Sequence, residues 1–203
     1  MSSMDRAQAA ALRDLLAAVG PQAGWVDASV EFGSALRRAP RRPGSLLLTG
    51  PAQEEPWHFA AHLTDEAKWA GLVELSPVLV RHDPPADAPP HLAVGLDRLA
   101  TAERGEALLV VAQQDPADMV LERIGDARKR GARILTLDQG AVELRGLAHD
   151  TLTVPQDPGP LTFDSAQHLV SLAAAEQPGG AGGLRARFVR WIDSVAGQRV
   201  ERW

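Results

Sequence analysis

Short, unbroken apolar runs alternate along this chain with segments of helical periodicity, and that alternation limits the folds open to it more than any other feature. The runs are Ser45–Thr49 (SLLLT), Pro77–Arg81 (PVLVR), Ala107–Ala112 (ALLVVA), Arg133–Asp138 (RILTLD) and Asp150–Val154 (DTLTV). A strand with one solvated face alternates apolar and polar residues, whereas a strand covered on both faces is apolar throughout. Between the runs, apolar residues recur at helical spacing, as in Phe59, Leu63 and Ala67, which predicts helices over 56–69, 92–102, 116–130, 142–147 and 163–176. Two more are predicted ahead of the first run, over 4–19 and from about 26 to 38. Strands buried on both faces and separated by helices call for right-handed crossovers. The predicted fold is therefore a three-layer αβα domain with a central five-stranded parallel sheet, flavodoxin-like, with helical N- and C-terminal extensions. In such sheets ligands bind beyond the carboxyl ends of the strands, so the segments after Thr49, Arg81, Ala112 and Asp138 are the places to search.

The chain has 203 residues, close to the size of one domain, and residues 1–177 read as a single α/β unit. A glycine-rich linker follows at 178–183, and Leu184, Phe188, Trp191, Ile192 and Val195 then mark one face of an amphipathic helix over 184–203. The net charge of −5 with no long basic run argues against nucleic acid as a partner. Residues 1–20 fit neither a signal peptide nor a membrane span, so a cytoplasmic protein with no membrane contact is expected. The absence of cysteine removes disulfides, thiol nucleophiles and thiolate metal sites, leaving His, Asp, Glu, Ser and Thr for any chemistry. The richness in Ala, Arg, Gly and Pro suits a bacterial coding bias. No P-loop, no dinucleotide fingerprint and no Ser/His/Asp triad can be read from the sequence.

The order of elements and the stretch Trp57-His58-Phe59-Ala60-Ala61-His62-Leu63 resemble the sugar isomerase (SIS) domain family, in particular its phosphoheptose isomerases, whose helix after the first strand reads His-Phe-Ala-Ala-Glu-Leu. Lys129-Arg130-Gly131-Ala132, ahead of the fourth strand, is similar to a second family phrase. The likeness runs loosely over about residues 5–176. It implies a homodimer, an SIS-type sheet and a phosphosugar ligand. Phosphosugar-binding members carry Ser-rich loops after the first and third strands, where hydroxyls and N–H groups hold the phosphate. Here those positions read Gly50-Pro51-Ala52-Gln53-Glu54-Glu55-Pro56 and Gln113-Gln114-Asp115-Pro116-Ala117-Asp118. Acids placed just before prolines at helix starts are expected to cap those helices, so that the protein supplies its own anion. A phosphate beside Asp115 would meet a repulsion of about one to a few kcal/mol. Any ligand in this region would touch Gly50, Glu55, Gln113, Gln114 and Asp115.

His58 and His62 stand four apart on a predicted helix, so both can face one side and hold a divalent metal, with Asp65 or Glu66 a turn further on. Zinc-binding phosphoheptose isomerases use the His and Glu of the matching motif, and His62 replaces that Glu. The family draws a further Gln and His from a late helix, where this chain offers the adjacent pair Gln167 and His168. Aldose–ketose isomerisation needs a base and an acid, roles for which His62 and His168 are the candidates. The expectation is a divergent SIS-type domain that binds a small ligand or a protein partner and does not turn over a sugar phosphate. The alternative is a phosphosugar isomerase with altered phosphate loops, with zinc as its candidate cofactor.

Overall fold

The computed structural model describes residues 23–156 and 162–176. The predicted helices over 4–19 and 184–203 and the linker at 178–183 lie outside the described residues. Helix α1 (Ala23–Arg38) leads into strand β1 (Leu46–Thr49), followed by α2 (Trp57–Ala70), β2 (Val78–Leu79), the short α3 (Asp97–Ala100) and β3 (Ala107–Ala112). Then come α4 (Asp118–Lys129), β4 (Arg133–Asp138), α5 (Val142–Leu147), β5 (Asp150–Thr153) and α6 (Phe163–Ala175). The five strands lie in the order β2-β1-β3-β4-β5 and every neighbouring pair is parallel.

The runs of β1, β3 and β4 each serve two cores, which is why they show no alternation, whereas the run at the edge strand β5 gives Leu152 and Val154 to one core only. Leu46, Leu48, Leu109, Val111, Leu135 and Leu137 point to one face, under Trp25, Phe32 and Leu36 of α1, Phe59 and Leu63 of α2, and Leu169 and Val170 of α6. Leu47, Leu108, Val110 and Ile134 point to the other, under Leu99 of α3, Val120 and Ile124 of α4, and Leu144 of α5. The side chains of β1, β3 and β4 that build these cores are sealed from solvent to within a few per cent, as a three-layer sandwich requires. Trp25 adds a long-range tie, donating its Nε1–H to the Thr153 carbonyl of β5 at 2.8 Å.

Three elements differ from the sequence reading. The second strand shrinks to Val78–Leu79, because beyond Val80, whose N–H bonds the Leu48 carbonyl, the chain pairs only as a bridge between Arg81 and Gly95. That bridge also splits the helix expected over 92–102 into a 3-10 turn at Pro90–Leu92 and the single turn of α3. The fourth helix begins at Asp118 instead of Pro116, with Ala117 extended at its N-cap.

Candidate functional site

The carboxyl edge of the sheet carries a cluster that the sequence only half discloses. Helix α2 brings His58 and His62 onto one face through their four-residue spacing, and α6, which packs against α2, brings His168 to the same point. His58 Nε2 lies 3.1 Å from His62 Nε2 and 3.2 Å from His168 Nε2. One ring nitrogen from each of the three histidines lies within 4.8 Å of the other two. Helix α6 is held in place by a capping box: Thr162 Oγ1 accepts from the Ser165 N–H, and Ser165 Oγ accepts from the Thr162 N–H. Asp65 and Glu66 do not belong to this group, and Glu66 is buried.

The donor set fits a divalent metal. Ligand atoms around a tetrahedral zinc with Zn–N bonds of ~2.0–2.1 Å stand about 3.3 Å apart, close to the two Nε2 separations seen here. Three nitrogen ligands with His58 exposed would leave a fourth position facing solvent, the arrangement of a reactive site and not of a closed structural one. Electrostatics favour the neutral imidazoles that a metal needs. Burial, then the neighbouring His62 and His58, lower the His168 pKa to about 4, against the opposing pull of Asp164. Burial and His58 likewise lower His62, with Asp65 and Glu66 opposing.

Beside the cluster lies a cleft of about 100 Å³ whose walls include Glu54, Glu55, His58, Gln113, Asp164 and Gln167. Gln167 donates to Asp164 Oδ1 at 3.3 Å, and Gln113 donates to Glu54 Oε2 at 3.5 Å. Of the residues expected to touch a ligand, Glu55 and Gln113 line this cleft, whereas Gly50, Gln114 and Asp115 lie outside it. Gly50 has a different task. A Cβ there would stand 2.8 Å from Pro56 Cδ and 2.9 Å from the Val111 carbonyl, so glycine is what lets the loop cross the end of β3.

Neither acid caps its own helix, which corrects the sequence reading. Pro56 stands at the N-cap of α2 without a side-chain cap, and the Glu55 carboxylate is engaged elsewhere. Its Oε1 accepts from the His82 N–H at 2.9 Å, and its Oε2 accepts from Arg81 Nε at 3.0 Å and Trp57 Nε1 at 3.1 Å. Arg81 also sits over the Trp57 ring, and His82 Nε2 meets the Gly50 carbonyl at 2.8 Å. Asp115 reaches forward to cap α5, accepting from the Val142 and Leu144 N–H groups at 3.0 and 2.9 Å. The physical reason is that extended backbone before each proline aims the carboxylate across to the next crossover, where unpaired donors wait. Both loops are thus braced by carboxylates at the positions where the family places hydroxyls.

Burial alone would raise the Glu55 pKa, but the His82 N–H and Arg81 outweigh it and hold the carboxyl below its ordinary 4.5. A depressed folded-state pKa contributes stability that is complete above the unfolded value and is lost as pH falls through the folded one. Glu55→Gln should lower the unfolding free energy at pH 7 by about 1–3 kcal/mol. In urea denaturation the gap between wild type and variant should close as the pH is taken below 4.5; a gap independent of pH would mean that the ion pair with Arg81 contributes nothing.

Sequence reasoning missed Phe163 and Asp164 in the cleft wall and the partnership of Arg81 with Glu55. The signal for the first two was the Thr162-x-x-Ser165 capping phrase, which starts α6 at the mouth of the site.

No protein-family model matches the sequence, and no curated protein matches it either. Solved structures do match. The sugar isomerase domain of the RpiR transcription factor from Sphaerobacter thermophilus superposes with a TM-score of 0.51 at 15% identity, covering 81% of this chain and 86% of that one. A candidate phosphosugar isomerase from Salmonella typhimurium LT2 gives a TM-score of 0.52 at 11% identity over 85% of this chain, which spans only 51% of that protein. A phosphoheptose isomerase from Francisella tularensis is also similar, at 12% identity, but with a TM-score of 0.40 it adds nothing to the fold assignment. Among the described residues no helix is long and apolar enough to cross a membrane. With its five parallel strands in the order β2-β1-β3-β4-β5 and helices on both faces, this chain has the fold of the sugar isomerase (SIS) domain.

Proposed function

We propose that this protein is a divergent SIS-type domain that binds a divalent metal through His58, His62 and His168 and a small ligand beside it, without turning over a sugar phosphate. The observation that carries the reading is the meeting of three ring nitrogens from two helices within 4.8 Å at the carboxyl edge of the sheet. A bound zinc would supply Lewis acidity at its open position. The chain's own part is to hold His62 and His168 neutral beside His58 and to line the adjoining cleft with Gln113, Gln167 and carboxylates. Phosphate is disfavoured there: Glu54, Glu55 and Asp164 all border the cleft, no Arg or Lys among the described residues lines it, and Arg81 is committed to Glu55.

The rival isomerase reading draws support from the same histidines, since His62 is a base at neutral pH. It is weakened by His168, whose pKa of about 4 leaves a neutral imidazole near pH 7, a much poorer general acid than an imidazolium. A thermal-shift titration of the metal-stripped protein separates the two, because a ligand that binds the folded state raises its apparent stability. Zinc should raise the melting temperature, and sedoheptulose 7-phosphate and glucosamine 6-phosphate should leave it unchanged with or without zinc. A shift with either sugar phosphate would overturn the non-phosphate reading and bring the isomerase assay forward.

A further inference from the structure

The amino end of the sheet, opposite the histidine cluster, gathers positive charge in a way the overall composition conceals. Strands β1, β3 and β4 are adjacent, and each is entered through an arginine-bearing turn: Arg41-Arg42 before β1, Arg104 before β3, Arg130 and Arg133 at β4. Gly105 and Gly131, both at positive φ (90° and 93°), make two of these turns sharp enough to set their arginines side by side. A Cβ on Gly131 would lie 3.4 Å from Arg104 Cβ, which shows how closely the second and third turns approach.

The result is a groove of about 490 Å³ lined by Arg38, Arg41, Arg104 and Arg133 together with Glu106. All four arginines are exposed. Among the described residues no ion pair or side-chain hydrogen bond engages Arg38, Arg41 or Arg104, and Arg133 pairs with Asp150 at 2.7 Å. Glu106, the acid in the lining, is buried and already neutralised. It accepts from Arg98 and from the Glu103 N–H at 3.1 Å and lies 3.6 Å from Arg42. In a chain of net charge −5, three guanidinium groups around one groove without a side-chain partner among the described residues are unbalanced locally. The chain's remaining segments carry no net negative charge to offset it: residues 1–22 hold Asp5 and Asp14 against Arg6 and Arg13, residues 157–161 hold Asp157, and residues 177–203 hold Asp193 and Glu201 against five arginines.

We infer that this groove is a second binding site, for a small ligand bearing two or more phosphoryl groups. Guanidinium forks engage phosphoryl oxygens in bidentate fashion, and several converging on one groove suit a polyphosphate better than a single carboxylate. The volume lies within the ~300–1,000 Å³ range of small-molecule sites. The groove is separate from the histidine site and does not depend on the metal reading.

Isothermal titration of the metal-stripped full chain with inorganic tripolyphosphate, in about 50 mM salt, tests it. One saturable site is expected, weakening steeply as sodium chloride is added. The double variant Arg41→Ser, Arg104→Ser should bind about a hundredfold more weakly, about tenfold for each guanidinium–phosphoryl hydrogen-bonding pair removed. Its melting temperature should match the wild type, since neither side chain has a partner among the described residues. His58→Ala should bind tripolyphosphate as the wild type does. Absence of binding, or binding unaffected by the double substitution, would overturn the inference, as would loss of binding in His58→Ala, which would move the ligand to the other edge. Binding of a poly-glutamate peptide without binding of tripolyphosphate would overturn it too, in favour of an acidic protein partner.

Discussion

Replacing His168 with alanine is expected to cost about a hundredfold in zinc affinity and to abolish the visible spectrum of a tetrahedral cobalt(II) adduct. The reasoning is geometric. His58 and His62 alone offer two nitrogens 3.1 Å apart on one helix, and it is α6 that supplies a third. Apparent binding free energies of ~10–16 kcal/mol at four-ligand zinc sites correspond to about 3 kcal/mol per ligand, or roughly a hundredfold. The pH dependence has a definite sign. Metal competes with protons for the imidazoles, and His168 and His62 are both lowered from the ordinary 6.5, His168 to about 4. Affinity should therefore stay nearly level from pH 8 to 6.5 and fall only in acid. The metal-free protein should also lose stability below pH 6.5, because its unfolded state takes up protons that the folded cluster resists. Equal zinc affinity in wild type and His168→Ala would remove α6 from the site and reduce the proposal to an ordinary pair of surface histidines.

The largest structural effect expected from a single added methyl group is at Gly33. Helix α1 crosses α6 so closely there that a Cβ would stand 2.6 Å from Ala173 Cβ, 2.7 Å from the Ala173 carbonyl carbon and 2.8 Å from the Ala174 nitrogen. Two of those three atoms are backbone, so no rotamer change relieves the clash and the helices must separate. Overpacking of this kind costs ~1–3 kcal/mol, against a gain of up to ~1 kcal/mol from the better helix propensity of alanine. Gly33→Ala should thus lower stability by about 1–2 kcal/mol, seen as a drop of roughly 2–8 °C in melting temperature for a chain of this size. Gly125, in α4, is the control. A Cβ there meets only Leu147 Cδ2 at 3.9 Å, so Gly125→Ala should hold or raise stability. Since α6 carries His168, Gly33→Ala should also weaken zinc binding although it lies on another helix. A variant with unchanged melting temperature would show that the two helices are free to part without cost.

The candidate site was legible in unequal parts. His58 and His62 could be paired because four residues bring side chains onto one helical face, a local rule that needs no partner segment. His168 could be named only as a candidate acid and, through the family likeness, as the histidine of a late helix. Its ring meets theirs 110 residues away in sequence, and that depends on how α6 is seated over the sheet. Asp115 and Glu55 illustrate the same boundary. The proline after each acid correctly marked the approach to a helix, yet each carboxylate found its donors elsewhere: Val142 and Leu144 for Asp115, Arg81 and His82 for Glu55. Capping preference is a local statement about which donors are orphaned, and the fold placed other unpaired donors nearer.

By itself the sequence determined the layer architecture: five strands, the central ones sealed on both faces, with helices between them. Burial leaves a periodic record in the chain, and a run such as Ala107–Ala112 is apolar at each position because both faces of β3 are covered. Only the tertiary structure decided the strand order, the third histidine, the close helix crossing at Gly33 and the arginine groove at the amino ends of β1, β3 and β4. Those features are juxtapositions of segments remote in sequence, fixed by which strands become neighbours and how closely helices cross, and neither quantity leaves a period in the residues themselves.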